Sequence, residues 1–469
     1  MKLVWFRRDL RVIDNSALQY ATQNSQQVVA CFVATPEQWQ SQHMAPIQAD
    51  WIWRRLPELQ RDLAALNIPM LYAEVDTYQQ SAVQVASWAR RLGADSVAIN
   101  AEYEVNEQVR DHWLEAELAQ SGMHLQSFHD KCLMPPGSVR NKQGEYFKVF
   151  TPFKRAWLSQ FTLPVIATSS AVAPCHLPQS LAEQILTPDA PFSFPRKASD
   201  AWPADSTAIL QRLRDFCTTS VDSYDKQRDF PAVAGTSQLS PYLALGALSV
   251  RQCIVRLHWQ QAFLSPGRET WLSELIWREF YQHLIWFEPK LVKGAGFVEW
   301  ENKLCWPGKS AWLTKWQQGQ TGYPIVDAAM RQLNETGWMH NRLRMIVASF
   351  LTKDLHLNWR DGEHYFMQNL IDGDFAANNG GWQWSASTGC DGQPYFRIFN
   401  PTSQGEKFDP DGRFIRRWVP ELTSVPDKYI HQPWNWPGKS MLSYPAPMVD
   451  HKREREITLA EYKRAKDSD

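Results

Sequence analysis

Two hydrophobic rhythms divide the chain. Through about the first 130 residues, short apolar runs at 3–6, 28–33, 70–75, 96–100 and 125–128 alternate with amphipathic stretches over about 46–66, 78–92 and 104–120, and a shorter one near 15–23. The runs have the length and composition of buried strands, and the stretches carry apolar residues at helical spacing. Over 46–66, Pro46 opens the helix and Trp53, Leu56, Leu59, Leu63 and Leu66 form its stripe. Strand and helix alternating through short connections imply right-handed crossovers and a parallel, doubly wound sheet, an α/β Rossmann-like domain over 1–130. From 131 to 200 that rhythm stops. Prolines at 135, 136, 152, 164, 174, 178, 188, 191 and 195, with Ser and Ala between, predict a long connector wrapped over the surface. Its aromatic piece, 146–157, predicts a short helix after Pro152. From 201 to 469 the pattern is helical with little period-two alternation, an all-helical domain ending in a charged helix over 451–469.

Composition narrows the class. The chain of 469 residues has a formal net charge of -1, so nucleic-acid binding needs a local basic patch rather than a global field. Seven cysteines are scattered without a C-x-x-C pair, which predicts reduced thiols, no disulfide framework and no zinc site. The first strand begins almost at the initiator Met, leaving no room for a signal peptide, and no apolar run has membrane-spanning length. A cytoplasmic monomer without metal is expected. The outlier is 23 Trp, more than core packing requires.

Four windows carry candidate chemistry. The first, 371–384, holds Asp372, Gly373, Asp374, Asn378, Trp382 and Trp384. Within it Asn379-Gly380-Gly381 predicts a turn that brings backbone close to a flat ligand, with acids and amide aimed at a ring edge and indoles at its face. The second, 224–241, contains Tyr224 and Arg228, then Thr236, Ser237, Gln238, Leu239 and Ser240 before Pro241. Ser240-Pro241 predicts an N-cap and a helix start, whose free N–H groups and hydroxyls suit a phosphate; a plain capped helix is the alternative. The third places Trp271, Glu274 and Arg278 on one helix face with Trp277 beside it; Glu274–Arg278 is also a simple i,i+4 pair. In the fourth, Gly337 ends a helix that starts near Pro324, and the next helix puts Asn341, Arg344 and Met345 on one face, with Arg342 free to meet a phosphate. Downstream, 397–407 predicts a polar loop with Arg397, Gln404 and Lys407 suited to a nucleic-acid backbone. No G-x-G-x-x-G follows a strand, so a pyridine-dinucleotide site is not supported.

Together these windows, with 5–11, 322–331 and 337–345, occur in the order of the photolyase/cryptochrome family, which the chain resembles over essentially its whole length. Within that family it looks most like a bacterial class I cyclobutane pyrimidine dimer photolyase. The resemblance implies an amino-terminal antenna domain and a helical domain holding bent FAD. Tyr224 and 236–240 would then hold the phosphates, and Trp271, Arg278, Asn341, Arg344, Asp372, Gly373 and Asp374 would surround the cofactor, with Asn378 facing flavin N5. It implies light-driven repair: excited, fully reduced FAD gives an electron to the dimer, the ring bonds split, and the electron returns. Glu274 would hydrogen-bond the dimer, Trp277 and Trp384 would wall its pocket, and Met345 would touch it. UV-damaged DNA would be met by Arg228, Arg342, Arg397, Gln404 and Lys407. The lesion leaves the duplex to enter, a behaviour for which photolyases are the usual illustration. Trp382, Trp359 and Trp306 match the family's electron-transfer chain.

The resemblance also implies an antenna chromophore. Asn106, Glu107 and Lys293 match positions that hold 5,10-methenyltetrahydrofolate in folate-type relatives, while Val292 departs from the Cys of a well-matched relative; 8-hydroxy-5-deazaflavin is the alternative. A blue-light sensor of the cryptochrome type and a flavin oxidoreductase are the competing functions. The Glu274, Trp277, Met345 and Trp384 set favours repair over sensing.

Overall fold

The structure, a computed structural model, describes residues 1–187 and 192–467. Its amino-terminal part is a five-stranded parallel sheet in the order β3-β2-β1-β4-β5, built from β1 (Lys2–Phe6), β2 (Val28–Ala34), β3 (Met70–Glu74), β4 (Ser96–Asn100) and β5 (His124–Phe128). Each strand lies within two residues of an apolar run, because parallel strands covered on both faces need near-continuous hydrophobicity. The crossovers are α1 (Ser16–Gln23), α2 (Pro36–Ser41), α3 (Pro46–Ala64), α4 (Tyr78–Leu92) and α5 (Val105–Ala119). Only α2 lacks a sequence signal, being too short to show a stripe. Side chains alternate across the sheet. Leu3, Trp5, Val29 and Cys31 pack against α4 and α5. Val4, Phe6, Ala30 and Phe32 face α1 and α3, in a core that continues into the helical half through Trp271, Leu275 and Phe280.

The connector carries α6 (Phe150–Gln160) and α7 (Gln179–Ala182). The first begins two residues before Pro152 rather than after it. The connector is pinned rather than loosely draped. Its Trp157 Nε1 donates to the buried Glu279 carboxylate at 2.7 Å, and Tyr72 N on the β3 edge donates to Gln184 O at 2.8 Å. Phe192 and Phe194 pack edge-on against Trp39 at 5.2 and 5.9 Å. Pro188 and Pro191 lie outside the described residues.

The helical part follows as α8 (Ser206–Thr219), α9 (Tyr224–Gln227), α10 (Ser240–Ala244), α11 (Val250–His258), α12 (Pro266–Phe287), α13 (Ser310–Gln317), α14 (Pro324–Thr336), α15 (Asn341–Lys353), α16 (Trp359–Asn369), α17 (Phe375–Ala386), α18 (Pro401–Phe408), α19 (Arg413–Trp418) and α20 (His451–Asp467). The last two residues of the expected tail helix, 468 and 469, lie outside the described residues. The two parts meet closely. Gly246, at φ +63°, lies so near the loop after β1 that a Cβ would stand 2.1 Å from Arg8 O, and Leu10 N donates to Leu245 O at 3.3 Å.

Candidate active site

Between α12, α15 and α17, and the loop before α10, lies a cavity of about 490 Å³, within the range of cofactor pockets. The window 371–384 supplies one wall, but not as a turn. Asn379, Gly380 and Gly381 sit inside α17, and neither glycine has positive φ. The glycine is needed for a different reason: a Cβ on Gly380 would meet the Tyr281 ring at 2.3 Å, so only glycine lets α17 approach α12. A Cβ on Gly381 would meet nothing, since it faces the cavity. Asp374 caps α17 by accepting from Ala377 N at 3.1 Å. Asp372, Asp374, Asn378, Trp382 and Trp384 line the cavity; Gly373 does not.

The loop 236–240 lines the opposite side with Tyr224. Here the expected cap fails. Ser240 is the first residue of a five-residue helix that has no side-chain cap; its Oγ instead accepts from Trp338 Nε1 at 3.4 Å. So short a helix has little dipole, and any anion affinity must come from hydroxyls and backbone of the loop. Gln238 stands at φ +51° within it. On α12, Trp271, Glu274, Trp277 and Arg278 do share the cavity face. The i,i+4 pair does not form: Glu274 Oε1 takes Arg228 at 2.5 Å, while Arg278 donates to the backbone carbonyls of Lys131 and Leu243 at 2.7 and 3.2 Å. Phe150 stacks on Trp277 at 3.6 Å and 9°, fixing the indole.

Asn341, Arg344 and Met345 reach the cavity from α15. His340 caps that helix, its Nδ1 accepting from Arg342 N at 3.2 Å; burial pushes its imidazole down to about 4, so it stays neutral and can accept. Arg344 donates to Asp372 Oδ2 at 2.8 Å, leaving Asp372 Oδ1 buried with no partner. A carboxylate oxygen left without a protein partner on a cavity wall is open to a donor from a ligand or a water. Asn378 Nδ2 donates to the Glu363 carbonyl at 3.0 Å, so its Oδ1 remains the acceptor for the cavity. Behind it, the buried Glu363 carboxyl accepts from Asn379 Nδ2 at 2.7 Å and is pushed up to about 7 by burial.

Trp382 lines the cavity, Trp359 is fully buried in the same core and donates to Glu301 Oε1 at 2.9 Å, and Trp306 is partly buried at its edge. The remaining sites diverge from expectation. Arg342 is not free: it pairs with Asp229 at 2.8 Å and lies 4.5 Å above the Phe408 ring. The 397–407 stretch is not all loop, since Gln404 and Lys407 lie on α18, capped by Asn400; Lys407 and Arg397 are exposed. Among antenna residues, Asn106 and Lys293 are exposed, whereas Glu107 is buried and accepts from Gln42 Nε2 and Tyr78 OH, each at 2.9 Å. No hydrogen bond or ion pair joins these three. Tyr281, Trp338, Phe366 and Ser385 also line the cavity and were missed, having no polar pattern to mark them. Among the described residues no acidic, His or Cys cluster could hold a metal ion, and no helix is long and apolar enough to cross a membrane.

Two family models match: DNA photolyase over residues 2–174 and the FAD binding domain of DNA photolyase over 271–464. The chain is 60% identical to a Vibrio cholerae protein named deoxyribodipyrimidine photo-lyase, over 99% of this chain and 100% of that one. The chain belongs to the DNA photolyase family. It is 48% identical to the protein of that name from Escherichia coli K12, over 99% and 98% of the two chains. The structure of a bacterial class III photolyase from Agrobacterium tumefaciens superposes with a TM-score of 0.88 at 35% identity, over 99% and 98%. Photolyase membership accounts for the cavity that the α/β domain does not provide: the second matched family model, the one that binds FAD, spans α12 to α20.

Proposed function

We propose that this protein repairs cyclobutane pyrimidine dimers in DNA with light, holding FAD in the helical cavity of 201–469 and an antenna chromophore on the 1–130 domain, across the 131–200 connector. The observation that carries this reading is one continuous cavity holding two kinds of lining. Asp372, Asp374, Asn378, Asn341 and Arg344 offer fixed polar groups to a flat heterocycle, and Glu274, Trp277, Met345 and Trp384 offer a mostly apolar receptacle with one carboxylate. FAD fits the first set: its ring N–H would satisfy Asp372 Oδ1, and Asn378 Oδ1 presents an acceptor to it. Bound here in its fully reduced form, FAD would supply light-driven electron transfer with no net redox change.

The chain's own residues do the rest. Arg344 keeps Asp372 aimed, and Asn378 is held by the Glu363 carbonyl. Trp277, backed by Phe150, and Trp384 exclude water beside a flipped lesion. Glu274 is the hydrogen-bond partner of the dimer, released toward it as Arg228 turns to a phosphate. Arg342, Arg397, Gln404 and Lys407 are placed for the flanking backbone, Arg342 after giving up Asp229. Trp382, Trp359 and Trp306 supply an inward electron path for activation. The site is complete within one chain, so a monomer suffices, and cellular DNA as substrate makes the cytoplasm the proposed compartment.

Folate is the proposed antenna. The usual ligand position of a doubly wound sheet, beyond the strand ends, is here a cavity of only about 40 Å³ filled by Trp5, Trp39, Tyr78 and Arg110, too small for a deazaflavin. Glu107 Oε2 is buried without a partner, and a pterin edge offers adjacent N–H donors to a carboxylate. The functional experiment is dark binding followed by light. Wild-type protein should bind a dimer-containing oligonucleotide over its undamaged counterpart by at least ~100-fold. Glu274→Ala should retain FAD while repair per absorbed photon falls at least roughly tenfold, the lower end for losing one hydrogen bond to a charged group. Unchanged repair per photon in that variant would remove Glu274 from the mechanism.

A further inference from the structure

A single ammonium joins the helix that carries the antenna candidates to the helix that lines the flavin cavity. Lys131 Nζ stands 3.1 Å from Glu104 Oε1 and 3.2 Å from Asp374 Oδ2. Glu104 is the N-cap residue of α5, whose first turn holds Asn106 and Glu107; Asp374 is the N-cap of α17, whose next turn holds Asn378. All three side chains are buried, at 9, 7 and 6% exposure, so the pairing is not screened by water. Lys131 belongs to neither helix. Its own backbone carbonyl accepts from Arg278, a cavity residue, at 2.7 Å, which ties its position to α12 as well.

The acceptor capacity of Asp374 is nearly used up. Oδ1 accepts from Ala377 N at 3.1 Å and Gln282 Nε2 at 3.0 Å, and Oδ2 faces Lys131 and Gln282. Burial would raise this carboxyl, but Lys131 and Arg278 hold it down at about 2, so it is ionised and cannot make room by taking a proton. A ligand N–H that bonds Asp374 in the cavity must therefore displace Gln282 or part of Lys131's share. Gln282 is fully buried with its Oε1 already unpartnered, and turning it away strands its amide N–H groups too. Lys131, by contrast, keeps a carboxylate partner in Glu104 when it leans away from Asp374.

We propose that Lys131 is a positioning residue that couples the two cofactor sites, its ammonium shifting from Asp374 toward Glu104 when the flavin cavity fills and thereby setting the first turn of α5 for the antenna. The inference rests on the cofactor assignments above. By linkage the coupling is reciprocal, so folate must strengthen FAD binding by the same factor that FAD strengthens folate binding.

The test compares apo and FAD-loaded protein. In wild type, FAD should tighten binding of 5,10-methenyltetrahydrofolate by about tenfold, within the common range of such couplings. It should also slow amide hydrogen exchange over residues 105–109, a readout that needs no antenna. Lys131→Met should bring both effects to none while FAD content is retained. Glu104→Gln, which keeps the Lys131–Asp374 pair, serves as the milder variant should the first fail to fold, and Lys131→Arg should restore part of the coupling. A folded Lys131→Met or Glu104→Gln protein with wild-type coupling and exchange overturns the proposal, as does a wild type in which FAD leaves exchange over 105–109 unchanged. Failure of folate to bind with the exchange effect intact overturns the antenna assignment alone.

Discussion

The two halves of the molecule treat the same problem, where to put a flat aromatic ligand, in opposite ways. The α/β half has the architecture known for binding ligands beyond its strand ends, yet fills that place with Trp5, Trp39, Tyr78, Arg110 and about 40 Å³ of free space. The helical half has no ligand-binding topology of that kind, yet opens about 490 Å³ because Ala377 and Gly381 present no bulk where α17 faces α12 and α15. The difference teaches that topology alone does not say which half is hollow; small residues on α17 and the unpartnered Asp372 Oδ1 mark the helical cavity as the candidate site.

The comparison can be broken most severely at Gly380. Gly380→Val drives a branched side chain into Tyr281, and α17 must move off α12. About 3 kcal/mol of stability should be lost, with FAD no longer retained on purification; a stable, yellow variant would contradict the close-approach argument. The converse change lies in the α/β half. Trp39→Ala, which removes an indole packed on Phe192 and Phe194, should enlarge that cavity and cost about 3 kcal/mol. It should recruit no second flavin, as judged by flavin-to-protein absorbance.

A proton sharpens the contrast. Glu363 behind Asn378 is raised from 4.5 to about 7, burial being the cause. Because the folded protein holds this proton more tightly than the unfolded chain, the ionisation penalty is absent below about pH 4.5, grows between 4.5 and 7, and is complete above 7. Glu363→Gln removes it. Denaturation of the two proteins should show the glutamine variant gaining roughly 3 kcal/mol relative to wild type between pH 4 and pH 8, from the 1.36 kcal/mol per pKa unit. A pH-independent difference would mean the carboxyl is not the buried acid described. The smallest effect belongs to Trp306, at the outer edge of the helical core. Trp306→Phe should slow photoreduction of oxidised enzyme yet leave repair by pre-reduced enzyme unchanged, as single-flash yields would report.

The sheet was legible because buried parallel strands leave continuous apolar runs, and β4 was matched to the residue. Residue types at the site were legible too, since Glu274, Trp277, Asn341, Arg344, Asp372 and Asn378 all reach one cavity. What stayed hidden were choices made in three dimensions. Asn379-Gly380-Gly381 has the composition of a turn, and only the Tyr281 ring shows why a helix keeps glycine at 380. Glu274 has Arg278 at ideal spacing, yet Arg228 from another segment takes it. Arg342 looked available because Asp229 is 113 residues away in sequence. Lys131 and Glu363 carried no signal at all, since a lone charged residue acquires meaning only from what buries it.

The most direct test is repair of a thymine-dimer oligonucleotide by purified protein reduced beforehand, in blue light and in darkness. The account predicts light-dependent recovery of thymine absorbance with none in the dark, and the same recovery in single-stranded substrate. Protein that retains FAD yet restores neither duplex nor single strand in light would contradict it and leave a sensor as the function to pursue.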